Sequence, residues 1–197
     1  MTDNTDITNG EDMEMSVLTV EKKRTELCFN NKRSCGLWLT LVGVVLMAGL
    51  ALGGKFLINP IVFLAGYYIS FYIANINKKV RAKLSQGSAS KFQIKMIFVS
   101  IAFMFIMMFC IAGPYIPSMN WRMIWLGVNL ATGLHFSGFY FVHGKSMIVI
   151  GMICTALAVC GYCFADQTLV FLIADAAVKI IFGVYLLVFG KPSKAIL

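Results

Sequence analysis

Between Gly36 and Phe189 the chain is a succession of apolar runs, each close to the roughly 20 residues that a helix needs to cross a bilayer's hydrocarbon core. Six can be marked: Gly36–Gly53, Phe56–Ile76, Phe92–Ala112, Arg122–His143, Ser146–Phe164 and Thr168–Phe189. Their length sets the fold class. Backbone groups left unpaired in lipid cost several kcal/mol each, so a span must be a helix or part of a closed barrel. Barrel strands would alternate apolar with polar residues, and these runs do not. The expected fold is all-α, a polytopic bundle of six transmembrane helices.

Composition agrees. Only 13% of residues are charged and 59% are apolar, whereas a soluble domain carries roughly 25% charged residues to cover its surface. The net charge of +8 raises the question of nucleic acid, but the cations stand in short clusters between the apolar runs. That is the placement of topology determinants, so nucleic acid is not an expected partner. Membrane lipid is.

The breaks between runs are also legible. Gly53-Gly54-Lys55, Gly113-Pro114-Tyr115-Ile116-Pro117, Gly144-Lys145 and Ala165-Asp166-Gln167 read as turns, and Asn77–Lys91 as a polar loop. Asn59-Pro60 is expected to bend the second span. The short turns make spans four, five and six close antiparallel neighbours. Residues 1–35 read as a largely disordered cytoplasmic tail with a basic end, residues 36–189 as the membrane domain, and 190–197 as a short cytoplasmic tail. The acidic, polar start does not read as a signal peptide.

Orientation follows from the Lys/Arg bias. With the N-terminus in the cytoplasm, Lys22, Lys23, Arg24, Lys32, Arg33, Lys78, Lys79, Arg81, Lys83, Lys91, Lys145, Lys191 and Lys194 fall inside, and Lys55 and Arg122 outside. The rule places both termini in the cytoplasm of a multi-pass cell-membrane protein.

Chemistry is expected where ionisable groups enter the apolar runs. Asp175 and Lys179 lie mid-span, four residues apart with the acid first, so they share a helix face and can neutralise each other. In the fourth span Asn129, Thr132 and His135, with Tyr140 and His143 in a secondary role, share one broad face at about 100° per residue. Spans four and six run in the same direction, and these groups reach similar depths. Asn129, Thr132, His135, Asp175 and Lys179 are therefore expected to form a midplane polar site for a small solute or ion. Imidazole titrates near neutral pH, which makes His135 a candidate proton carrier.

Other motifs carry less. Cys160-Gly161-Tyr162-Cys163 has the C-x-x-C form, but it closes an apolar helix instead of opening one with an acidified thiol. Cys28 and Cys35 flank the entry to span one as candidate lipidation sites. Gly49/Gly53, Gly127/Ala131, Gly133/Ser137 and Gly151/Thr155 read as small-residue packing pairs. No catalytic residue, metal set or cofactor motif is expected.

The stretch from Gly133 to Lys145, GLHFSGFYFVHGK, resembles small six-span bacterial integral membrane proteins of uncharacterised function, through its mid-helix His-Phe and its His-Gly at the turn. That resemblance implies no activity. Size and span count are similar to substrate-binding subunits of vitamin importers. The sequence expectation is a small-solute or ion transporter or its membrane substrate-binding subunit, not an enzyme. The alternative is a non-catalytic scaffold or regulatory protein with a protein partner or a second copy of itself.

Overall fold

The computed structural model describes residues 26–196. After strand β1 (Glu26–Phe29) come α1 (Lys32–Ala51), α2 (Pro60–Phe71, continued by a π-turn to Ile76), α3 (Lys78–Leu84) and α4 (Lys91–Ile111). Then follow α5 (Trp121–His143), α6 (Ser146–Cys163), α7 (Thr168–Phe189) and strand β2 (Ser193–Ile196). β1 and β2 pair in a two-stranded sheet, and the helices lie in a unit running from Cys28 to Ser193. Most of the disordered-tail reading falls outside the described residues. What is described differs from it: a strand starts at Glu26, α1 starts at Lys32, and a second strand occupies the C-terminal tail.

Local chemistry sets the helix starts. Asn59 Oδ1 accepts from the amides of Ile61 at 3.1 Å and Val62 at 3.2 Å, and Pro60 takes the first helical position. Proline is pre-organised there and lacks only an amide that would have been an orphan. Asn59-Pro60 thus begins α2 and does not bend it. Asn77 caps α3 in the same way, at 3.1 and 3.3 Å. That cap turns part of the expected polar loop into a two-turn helix whose Val80 and Leu84 are half-buried while its cations face out. Ser90 and Gln93 form a reciprocal capping box at the start of α4. α5 ends at Gly144, whose φ of +85° suits glycine.

Among the described residues four helices are long and apolar enough to cross a membrane: Lys32–Ala51, Lys91–Tyr115, Ser146–Cys163 and Ala165–Phe189. The apolar helix Pro60–Ile76 is shorter. α5 has the length, at 23 residues, but Arg122, Asn129 and its two histidines dilute its apolar character. Large apolar side chains cover the outside, with Phe109 80% and Ile61 78% exposed, while Asp175 and Lys179 are each 1% exposed. That is the reverse of a water-facing globule.

The most extensive helix pairing joins α1 to α7, and small residues permit it. A Cβ on Gly183 would sit 2.5 Å from the Thr40 nitrogen and 2.8 Å from the Gly36 oxygen, and one on Gly43 would sit 2.9 Å from the Ala176 oxygen. Backbones therefore touch along Gly36, Thr40 and Gly43 on one side and Ala176 and Gly183 on the other. α5 and α6 approach similarly, with Gly133 against the Thr155 backbone and Gly151 against the Gly133 oxygen. α6 packs against both α5 and α7, but α5 and α7 meet at only a few positions. The expected three-way adjacency of spans four, five and six is corrected accordingly: α6 intervenes. Of the other small pairs, Gly53 lies beyond α1, in the turn.

Two polar seams fasten the ends of α4 and α6. Gln93 donates to the carbonyls of Cys28 at 3.0 Å and Phe141 at 3.2 Å, and Ser100 donates to that of His135 at 2.7 Å. At the other end of the bundle Arg122 Nε donates to Thr168 Oγ1 at 2.8 Å. One Arg122 terminal nitrogen reaches the carbonyls of Gly161 at 3.0 Å and Tyr162 at 3.2 Å. These are last-turn carbonyls of α6, which have no partner within the helix.

Candidate functional site

Asp175 and Lys179 form an ion pair on the inward face of α7. Their neighbours along that face belong to apolar clusters: Leu172 and Ala176 with Val42 and Leu46, Leu186 with Leu39 and Ile150. Cys154 of α6 lies close enough to interact with both charges. Asp175 Oδ1 has no hydrogen-bond partner among the described residues. An isolated buried charge is costly, and pairing is what makes both tolerable.

On α5, Asn129, His135 and His143 are buried, and Thr132 and Tyr140 are half-buried. The Thr132 hydroxyl donates back to the Val128 carbonyl at 2.7 Å, and the Tyr140 ring stands 6.4 Å from that of Phe29. His135 Nδ1 bonds the carbonyl of Thr132. A carbonyl can only accept, so Nδ1 carries the proton and Nε2 is left as an acceptor. The His135 ring packs on Phe136 at 4.7 Å and edge-on to Phe139 at 5.2 Å.

The residues singled out from the sequence divide into two groups. His135 is within electrostatic range of Lys179. No hydrogen bond or ion pair links Asn129 or Thr132 to Asp175 or Lys179. Instead His135 and His143, the only two histidines in the chain, both line a cavity of about 670 Å³ to which α1, α2, α3, α4, α5 and α6 contribute. Neither Asp175 nor Lys179 lines it.

The cavity has two characters. Its wall is apolar and aromatic, with Trp38, Tyr67 and Phe71 facing Ile97, Ile101 and Met104 of α4. Its mouth, at the end of the bundle where α1 and α4 begin, is polar: Asn31, Ser34, Arg81 and Ser85. Among the described residues no carboxylate lines it. His143, stacked on Phe139 at 5.8 Å, has no hydrogen-bond partner for Nδ1 among the described residues. Trp38, Arg81 and the α4 wall were not singled out from the sequence. Helix neighbours must be known before such residues can be assigned to one space.

The described cysteines are all free, including Cys160 and Cys163. Cys35 is buried, with its sulfur 3.8 Å from that of Met147, which leaves it poorly placed for lipidation. Among the described residues no group of three or more His, Cys, Asp or Glu side chains could hold a metal.

A family of unknown function (DUF6609) matches residues 22–196, and the chain belongs to that family. No curated protein and no solved structure matches it.

Proposed function

We propose that the six long helices all cross the cell membrane, with both termini in the cytoplasm, and that the cavity beside His135 and His143 binds a small solute. On this reading the protein is a transporter or the membrane substrate-binding subunit of one. α2 with its π-turn lies at the short end of the range that can span a bilayer, and α5 turns its polar face toward protein and the cavity. The observation that carries the reading is the cavity itself, whose volume lies within the roughly 300–1,000 Å³ usual for small-molecule sites. The positive-inside bias puts its polar mouth on the cytoplasmic side.

The midplane site read from the sequence is narrowed by this proposal. His135 and His143 serve the solute, while Asp175 and Lys179 act one layer away, through the electrostatic reach of Lys179 to His135. Asn129, Thr132 and Tyr140 support the α5 face.

A protein freed of its own cysteines and carrying Ser34→Cys at the polar mouth of the cavity provides the test. A membrane-impermeant thiol reagent should label it from the cytoplasmic side alone. His135→Ala should leave expression and folding intact while abolishing solute-dependent uptake into vesicles. Labelling from neither side, or unchanged uptake, rules the reading out.

One observation favours a non-catalytic scaffold or regulatory protein. The Asp175–Lys179 pair closes on itself away from the cavity, as a device that only locks helices would. In that case His135→Ala should lower bundle stability or partner recovery and leave uptake unchanged.

A further inference from the structure

We infer, on the reading of this cavity as a solute site, that its ligand is an anionic amphiphile with one apolar chain. It enters from the bilayer between α2 and α4, and its charged head is held at Arg81. Three observations converge on that chemistry. The first is the wall. From Ile94 to Met104 the α4 lining runs about 15 Å at a helical rise of about 1.5 Å per residue, and the facing side offers Trp38, Tyr67 and Phe71. A strongly hydrated solute would lose its water here without replacement, whereas an alkyl or aromatic body loses nothing.

The second is the mouth. The Arg81 guanidinium makes no hydrogen bond or ion pair among the described residues, and none of those residues lines the cavity with an acidic side chain. Asn31 Oδ1 accepts from Ser85 at 3.2 Å, leaving the Asn31 amide nitrogen as a further donor beside the guanidinium. A cation would find no counter-charge among the described lining residues and would be repelled by the guanidinium. A carboxylate or phosphate head fits the fork of Arg81.

The third is the route. α2 packs mainly on α1, and α4 on α5, with little contact between α2 and α4. The space between them is bordered by outward-facing apolar side chains such as Phe71, Ile94 and Phe98. An amphiphile in the leaflet meets that gap with its head already level with the basic end.

The test uses the full chain in nanodiscs of uncharged lipid, with Trp38 as reporter. The Trp38 signal is the difference between the wild type and Trp38→Phe. Dibromostearic acid, ionised, and its methyl ester are added at equal mole fraction, and acrylamide serves as a water-borne quencher. One charge-assisted bond corresponds to a preference for the acid on the order of tenfold. Arg81→Gln, at an exposed position, should bring the acid down to the level of the ester without changing the melting temperature.

Equal quenching by acid and ester in the wild type overturns the anionic head. A preference that survives Arg81→Gln overturns the place assigned to it. If neither brominated chain quenches beyond the level set by bulk lipid while acrylamide reaches Trp38, the amphiphile is wrong and the solute site stands. If acrylamide fails as well, both fall together.

Discussion

Ser100 of α4 donates a 2.7 Å hydrogen bond to the main-chain carbonyl of His135 on α5. Its side chain sits where a Cβ on Gly138 would lie, so the two helices are keyed together beside a cavity-lining histidine. Apart from this contact and the Gln93 bonds seven residues earlier, α4 buries little of itself. Ser100→Ala should lower stability by about 1 kcal/mol. Gln93→Ala/Ser100→Ala together should also open the segment between Ser85 and Lys91 to protease. Thermal melting in detergent and limited proteolysis read the two effects. A double variant that melts like the wild type would show the seam to be idle.

Breaking the Asp175–Lys179 pair on one side leaves the other charge stranded in an apolar layer. Asp175→Asn or Lys179→Met alone should each cost about 3–5 kcal/mol, and the two together should recover most of that loss. The order of melting temperatures, with the double variant above both singles, is the diagnostic. If the double is the least stable, the charges do more than neutralise each other.

The α1–α7 seam has no room for a side chain at Gly183, where the Thr40 hydroxyl and the backbone of Thr40 and Gly36 already crowd the position. Gly183→Leu should destabilise by at least about 3 kcal/mol, the upper range for overpacking. Gly113→Ala, whose new Cβ would meet only Phe109 at 3.8 Å, should be neutral. Folded yield and melting temperature compare them directly, and a well-folded Gly183→Leu protein would mean that the helices can separate there.

Arg122 satisfies three acceptors at one end of the bundle. A lysine keeps the charge but cannot reproduce the planar fork. Arg122→Ala should cost about 2–3 kcal/mol and Arg122→Lys an intermediate amount, with faster proteolytic cutting in the turn at Ala165–Gln167. Equal stability of Arg122→Lys and wild type would reduce the residue to a bare charge.

Much of this arrangement was legible in the residues. The period and length of the apolar runs marked the long helices, because a hydrocarbon-length segment has few other ways to satisfy its backbone. The Asp175–Lys179 pairing was also readable, since four-residue spacing brings side chains together without help from the rest of the fold. Adjacency was not. Nothing in one sequence says that α6 packs against both α5 and α7 while those two meet at only a few positions, nor that a cavity lies beside His135. One spacing, repeated in three pairs, could have served as a signal. Gly36 with Gly43 and Ala176 with Gly183 are each seven apart, as are Gln93 with Ser100, so each pair falls on one helix face. The proline at position 60 was misread for a different reason: its effect depends on whether a helix has already begun.

Because the first long helix finds its main mate in the last, the bundle cannot close while it is being made. The ribosome must travel from Ala51 to Phe189, on the order of ten seconds at about 5–20 residues per second, before the glycine edge of α1 is covered. Through that interval α1 is without its main packing partner. Any chain cut short before Thr168 keeps that flank open permanently, because the helix that covers it is missing.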